Sequence, residues 1–139
     1  MKARPLIPGA AQGELLVSPE PLSFWGGYDQ HSGEIIDRRH PLSGQVAAGK
    51  VLAVPFSRGS STTTAVLLEA IINGTAPAAL ITRGVDSFFA LAAVVAEEVF
   101  QRTLPVATLE PEAFDSLQSG RWLTLAEDGT ITVTDEPDG

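Results

Sequence analysis

The stretch that decides the fold reads Val51-Leu52-Ala53-Val54-Pro55-Phe56-Ser57-Arg58-Gly59-Ser60-Ser61-Thr62. Its first four residues form a short apolar run that is typical of a buried strand. From residue 62 to residue 73 the apolar residues recur at helical spacing, and Asn73-Gly74 is typical of a helix C-terminus. Several hydroxyl groups, one arginine and one glycine therefore lie at a predicted junction between a strand and a helix.

The strand and helix pattern continues C-terminal to this junction. Residues 78–82 and 104–108 are predicted strands, and between them a helix runs from a cap at Asp86 or Ser87 to about Gln101. A β-α-β-α-β order implies a parallel sheet with right-handed crossovers. In the second helix we expect one apolar stripe to face the core: Phe88, Leu91, Ala92, Val95 and Val99.

Segments of β type flank this α/β unit on both sides. Residues 13–18 and 22–25 are predicted strands before it, and residues 121–126 and 130–134 form a predicted hairpin after a short helix at 111–117. Residues 28–49 are polar and rich in turns, so we expect a segment that wraps the surface, with a brief strand at 34–36. The sequence therefore predicts one domain over residues 1–139, an α/β domain of β/β/α layers with a mixed sheet, and a disordered tail at 135–139.

The composition excludes several classes of function. Nine Lys and Arg residues against 17 Asp and Glu residues give a net charge of −8, which argues against a nucleic-acid partner. The chain has no cysteine and only two histidines, so we expect no metal bound by this chain alone. No run approaches the length of a membrane span, and the N-terminus does not resemble a signal peptide, so we expect no membrane contact and a cytoplasmic location.

The junction itself favours an anion. The first N–H groups of a helix lack partners within the helix, and the helix dipole adds positive potential there. Such surroundings can stabilise a serine alkoxide at Ser60, while Gly59 allows close backbone approach and Arg58 adds a cation. The alternative is that Ser60 or Ser61 is only an N-cap. The spacing matches neither a phosphate loop nor a nucleophile elbow.

Other candidates are weighed against simpler interpretations. Arg83 follows the next predicted strand, so it either converges with Arg58 and Ser60 at one sheet edge or lies on the surface, and both interpretations stay open. The basic run at residues 38–40 is interpreted as a solvated loop. Trp25 is interpreted as a core residue.

Several separated motifs together resemble one family, the aconitase X small subunit or swivel domain. The similarity extends over about residues 5–108. The motifs occur in the family's order: Gly13-Glu14, Ser18-Pro19-Glu20-Pro21-Leu22-Ser23-Phe24-Trp25-Gly26-Gly27, Ser32-Gly33-Glu34-Ile35-Ile36-Asp37, His40-Pro41-Leu42-Ser43-Gly44, Ala48-Gly49-Lys50-Val51-Leu52, Arg58-Gly59-Ser60-Ser61-Thr62 and Ala76-Pro77-Ala78-Ala79.

The resemblance implies a swivelling β/β/α domain like the fourth domain of aconitase. It implies a hydro-lyase that works only with a large subunit, which carries the iron–sulfur cluster or iron. The implied substrate is a small hydroxy acid, first cis-3-hydroxy-L-proline and alternatively phosphomevalonate.

The resemblance also assigns roles to individual residues. It implies Ser60 as the proton acceptor, and Arg58, Gly59, Ser61 and Thr62 as substrate-binding residues. Arg58 either binds the substrate carboxylate or stabilises the Ser60 alkoxide. This sequence departs from the family's pattern at Ser57, where many relatives have Gly, and at Thr63-Thr64, where they have Gly-Ser. Two alternatives of a different class are a non-catalytic module that binds an anion and a scaffold in which residues 28–49 dock a partner.

Overall fold

The computed structural model describes residues 1–24, 26–56, 61–84 and 87–135, with only the backbone of residues 61–63 and 87. The described part contains three helices: α1 (Ser61–Asn73), α2 (Ser87–Phe100) and α3 (Pro111–Asp115). The described strands are β1 (Arg4–Ile7), β2 (Ala11–Val17), β3 (Val51–Val54), β4 (Ala79–Thr82), β5 (Val106–Thr108), β6 (Trp122–Leu125) and β7 (Ile131–Thr134). Residues 136–139, most of the predicted tail, lie outside the described residues.

The strands form one mixed sheet in the order β1-β5-β4-β3-β2-β6-β7. The four central strands β2 to β5 are parallel, while β1, β6 and β7 pair antiparallel at the two sides. The sheet curls so that the β1 side and the β7 side come into contact. There the N–H of Ala3 donates to the carbonyl of Gly129 over 2.8 Å, and the backbones of Lys2 and Thr130 form an antiparallel β-bridge. The predicted mixed sheet with a central β-α-β-α-β unit is confirmed.

Two buried clusters lie on opposite faces of the central strands. Both crossovers step along the sheet in the same direction, so right-handed connections place α1 and α2 on one face, where they pack against each other. Within each central strand, alternate residues contribute to the two clusters, as the pleat requires. The helix-side cluster includes Leu16, Leu52, Val54, Leu67, Ile71, Leu80, Phe89 and Val106; the other includes Leu15, Val51, Ala53, Ile81, Phe114, Leu123 and Ile131.

The predicted apolar stripe of α2 is wrong about which side of the helix faces the core. Of its members only Ala92 is buried, whereas Leu91 is 52% exposed and Val99 is 60% exposed. The buried side is instead Phe89, Ala92, Ala93 and Ala96. The three alanines carry side chains small enough for α2 to approach its neighbours α1, β1 and β5 closely, which turns the larger apolar residues outward.

The segment at residues 28–49, which belongs to the long connection, defined as residues 18–50 between β2 and β3, is not confined to the surface as predicted. It contributes Tyr28, Ile35, Leu42 and Ala47 to the helix-side cluster. The predicted strand at 22–25 is absent from the described residues 22–24, and Trp25 lies outside them. At 34–36 there are only isolated bridges, in which the backbone bonds to residues 27–29 on one side and to residues 44–45 on the other.

Candidate active site

The carboxyl ends of the four parallel strands share one edge of the sheet, and that edge holds the candidate site. β3 ends at Val54 and α1 begins at Ser61, so the predicted change from strand to helix is confirmed on both sides of the junction. Ser57, Arg58, Gly59 and Ser60 lie outside the described residues. Ser61 and Thr62 form the first turn of α1 in the backbone.

A cleft of about 550 Å³ opens at this edge beside the end of β3. Its walls come from four regions of the chain that are distant in sequence. The segment after β2, the residues after β3, the residue after β4 and the region of helix α3 each supply part of the wall, which includes Ser18, Pro55, Phe56, Arg83, Phe114 and Asp115. Phe56 is 55% exposed and precedes the predicted Ser60 motif by only a few residues, so the motif's flank borders this cleft.

Arg83 lies at this edge, next to the end of β3. Its backbone N–H donates to the carbonyl of Pro55 over 3.1 Å. Its Nε donates to Oδ1 of Asp115 at 3.2 Å, in an ion pair in which the arginine side chain is 43% exposed. Arg83 thus lies on the shared edge and is exposed there, while its convergence with Arg58 and Ser60 stays a prediction because those two residues lie outside the described ones. The sequence signal for this placement was the position of Arg83 directly after a parallel strand.

A second cleft of about 480 Å³ lies on the other side of Arg83, near the ends of β4 and β5. Three cations line it, Lys2, Arg4 and Arg83, together with Glu110. Lys2 also pairs with Asp128 at 3.3 Å across the exposed turn between β6 and β7. In a chain with only nine Lys and Arg residues, this concentration makes the second cleft the more cationic of the two. No sequence pattern indicated it, because Lys2 and Arg4 reach the edge through β1, which was not predicted.

Hydroxyl groups at the ends of three strands are bound to backbone carbonyls. The Ser18 hydroxyl donates to the carbonyl of Glu20, and the Thr82 hydroxyl donates to the carbonyl of Gly84. The Thr108 hydroxyl donates to the carbonyl of Thr82 over 3.3 Å. Each of these hydroxyl protons is donated to a nearby carbonyl, so these hydroxyls stabilise the backbone at the edge of the sheet.

His40 is buried beside the same edge, contrary to its interpretation as part of a solvated loop. Arg38 and Arg39 are exposed as expected, but His40 is only 7% exposed. Its Nδ1 accepts from the N–H of Leu42 at 3.1 Å, so the proton of the neutral ring is on Nε2, which lies 3.1 Å from Oγ of Ser18. His40 therefore anchors the long connection to the residue that follows β2.

The described residues contain no group of three or more His, Cys, Asp or Glu side chains that could hold a metal ion. The whole sequence contains no cysteine. The donor set of this chain therefore does not fit an iron–sulfur cluster, whose usual ligands are cysteine thiolates. Among the described helices, none is long and apolar enough to cross a membrane.

The aconitase X swivel domain family matches residues 1–133. The chain belongs to this family. A cis-3-hydroxy-L-proline dehydratase of Pseudomonas aeruginosa is 53% identical over 124 residues, which cover 89% of this chain and 21% of that protein. A phosphomevalonate dehydratase small subunit of Methanosarcina acetivorans is 34% identical over 121 residues, which cover 86% of this chain and 80% of that protein.

The fold agrees with this membership. The crystal structure of Thermococcus kodakaraensis aconitase X in its holo-form superposes with a TM-score of 0.83 at 28% identity, covering 95% of both chains. The chain spans about a fifth of the length of the Pseudomonas relative and most of the length of the Methanosarcina small subunit. The swivel-domain fold expected from the sequence motifs is thereby confirmed.

Proposed function

We propose that this chain is the small subunit of a dehydratase of the aconitase X type, which removes water from a small hydroxy acid. The observation that carries the proposal is the cleft at the carboxyl edge, bordered by the end of β3, by the cation Arg83 and by the segment that precedes Ser60. The first substrate is cis-3-hydroxy-L-proline, supported by the dehydratase of that name that is 53% identical to this chain.

The chemistry requires a base for a weakly acidic proton. Loss of water beside a carboxylate removes a proton from the carbon next to that carboxylate and hydroxide from the neighbouring carbon, as a double bond forms between the two carbons. Ser60 is the proposed acceptor of the proton, and the iron of the large subunit would supply a Lewis acid for the hydroxide. An alkoxide there is favoured by the N–H groups of the first turn of α1, which have no partners within the helix, and by the dipole of that 13-residue helix. The strand-end hydroxyls of Ser18, Thr82 and Thr108 donate to carbonyls, which supports the choice of Ser60.

The substrate carboxylate needs a cation. Arg83 lines both clefts, and a guanidinium carries five N–H donors, of which the Asp115 ion pair uses Nε. Arg58, Gly59, Ser61 and Thr62 are the further proposed substrate contacts. For Arg58 two roles remain in the proposal, as a clamp for the carboxylate or as a stabiliser of the alkoxide.

The partner in this proposal is a large subunit that holds the iron–sulfur cluster or iron. The absence of cysteine in the chain is consistent with this division, under which the isolated chain is inactive. The proposal includes no nucleic-acid or membrane partner, in keeping with the net charge of −8, and it places the enzyme in the cytoplasm.

The test is turnover by the chain copurified with its large subunit. Ser60→Ala should lower kcat by about 10²-fold or more, the size expected for a lost general base, while the complex stays assembled. Ser43→Ala, an exposed serine of the long connection, is the matched control and should leave turnover unchanged. If Ser60→Ala costs only about 1 kcal/mol of stability and keeps turnover, Ser60 is a helix cap and the proposed role is wrong.

A second candidate substrate is phosphomevalonate, and the cationic second cleft is the observation that favours it. Lys2, Arg4 and Arg83 suit a phosphate in addition to a carboxylate. Arg4→Gln should then raise KM for phosphomevalonate and leave turnover of hydroxyproline unchanged. If the complex dehydrates hydroxyproline alone and Arg4→Gln has no effect, the second candidate is excluded.

A further inference from the structure

Helix α2 is apolar on nearly every side. Its 14 residues, SFFALAAVVAEEVF, include only one serine and two adjacent glutamates as polar residues. The inner side, with Phe89 and its neighbouring alanines, is already used against α1 and the sheet. A helix that is apolar all round is typically covered on all sides. The outer side of α2 is therefore suited to a contact that the described residues of this chain do not supply.

The outer side of α2 carries exposed apolar side chains, and we call Leu91 and Val94 the α2 face. Their side chains are 52% and 43% exposed, and Val99 on the flank of this face is 60% exposed. Leu91 and Val94 lie three positions apart and share one side of the helix, on which Glu98 follows in the last turn. The outer side of α1, by contrast, includes the exposed polar residues Glu69 and Asn73.

We propose that the α2 face is the surface on which the large subunit docks; the proposal rests on the function proposed above. About four-fifths of the Pseudomonas relative lies outside the part that matches this chain, so a large partner region exists in the family. α2 follows β4 directly, so the helix begins at the carboxyl edge where both clefts open. A partner that completes the site at that edge is brought against the first turns of α2.

A second copy of this chain is a less suitable occupant. Each copy carries a net charge of −8, and Glu97 and Glu98 lie beside the α2 face, so pairing two copies brings like charges together. The same two carboxylates predict lysine or arginine on the partner surface opposite the last turn of α2.

The test compares two double variants of the full chain for binding to the purified large subunit. In Leu91→Gln with Val94→Gln, glutamine keeps helix propensity while it removes apolar contact, and the Kd should rise at least about tenfold. The matched control is Ile36→Gln with Val46→Gln in the long connection, whose side chains are 42% and 43% exposed. This control should bind within about threefold of the unaltered chain, and thermal unfolding verifies that both variants are folded.

Each remaining outcome would overturn the proposal in a distinguishable way. If the unaltered chain binds the large subunit and the α2 variant binds equally well, the docking surface is wrong while the proposed function stands. If size-exclusion chromatography with light scattering shows a dimer of the chain that the α2 variant dissociates, the occupant is a second copy. If the unaltered chain does not bind the large subunit at all, the proposed function fails, and the docking surface fails with it.

Discussion

The long connection and helix α2 contradict their own compositions in opposite directions. The connection is rich in turns and polar residues, yet Tyr28 and Ile35 are at most 1% exposed. α2 is almost entirely apolar, yet Leu91 and Val99 are at least half exposed. Both regions contact the same helix-side cluster, to which α2 contributes Phe89.

The difference shows that burial in this domain is decided by which neighbours each element has. The connection lies over the helix-side cluster, so most of its large apolar side chains are buried there, while Ile36 and Val46 stay exposed. The two-helix layer places α2 where one of its sides packs against the described part of the chain, and Leu91, Val94 and Val99 on its other sides remain exposed. Composition predicts how much apolar surface an element carries, and topology decides how much of it this chain covers.

The largest effect is expected at the aromatic contact between the long connection and α2, which tests whether the connection is buried and the outer side of α2 is not. Phe24 is fully buried, with its ring centroid 4.8 Å from that of Tyr28 and 5.4 Å from that of Phe89 in α2. Phe24→Ala should lower the free energy of unfolding by about 3–5 kcal/mol. Phe100→Ala, at a 41% exposed position of α2, is the control and should cost less than about 1 kcal/mol by urea denaturation. Equal losses would contradict the comparison.

The next largest loss of stability is expected at a close backbone contact of the long connection. Gly33 has a φ of +80°, and a Cβ there would lie 2.5 Å from the Cβ of Ala48 and 2.8 Å from the carbonyl oxygen of Thr75. Gly33→Ala should therefore destabilise the chain by more than about 1 kcal/mol, through strain and overlap together. Gly44→Ala is the control, because its φ is +86° but no atom lies within 4 Å of the added Cβ. If both variants lose the same stability, the close packing of the connection is not responsible.

The sequence was sufficient to predict the strands and helices of the central unit. It was insufficient for the elements whose structure depends on contacts with distant parts of the chain. β3, α1 with its C-terminal Gly74 at a φ of +77°, and the β6–β7 hairpin follow from local patterns, because apolar runs and turn residues act within a few positions. β1 was not predicted, because it is four residues long with a proline and exists only by pairing with β5. The inner side of α2 was missed because alanines mark a close contact that hydrophobicity does not reveal.

The residues of the candidate site also fall into those that local patterns predicted and those that depend on distant contacts. That an arginine follows β4 at the carboxyl edge could be read from strand order, since parallel strands end together. That Lys2 and Arg4 reach the same edge depended on β1, and that His40 is buried depended on the fold of the connection. Local pattern thus predicted the parallel edge, whereas the contacts made by distant segments required the structure.

Tyr28 offers a test of the buried connection by pH. Its hydroxyl donates to the carbonyl of Thr75 over 2.6 Å, and burial raises the pKa of Tyr28 above its ordinary value. The unfolded chain ionises this group near pH 10, while the folded chain keeps it neutral, so stability is full below about pH 10 and falls as the pH rises above it. Tyr28→Phe should lower the free energy of unfolding by about 1 kcal/mol at neutral pH. The variant should also lack the fall in stability above about pH 10 that ionisation of Tyr28 causes.

Ultraviolet titration can follow this group alone, because Tyr28 is the only tyrosine of the chain. The folded chain should show tyrosinate absorbance only above the ordinary range. Denaturant unfolding of the chain and of Tyr28→Phe at a series of alkaline pH values supplies the matching stabilities. Ionisation at the ordinary pKa in the folded chain would mean that the connection does not cover this side chain.

The smallest effect is expected on the exposed side of α2, in the chain by itself. Leu91→Gln exchanges one good helix former for another at a position that is 52% exposed, so the free energy of unfolding should change by less than about 0.5 kcal/mol. Ala92→Gln, one position further along and fully buried, should instead destabilise the chain because the added atoms have no space. Thermal and urea unfolding of both variants measure this difference. A loss above about 1 kcal/mol for Leu91→Gln would mean that the chain covers this surface itself, and the contrast with the long connection would disappear.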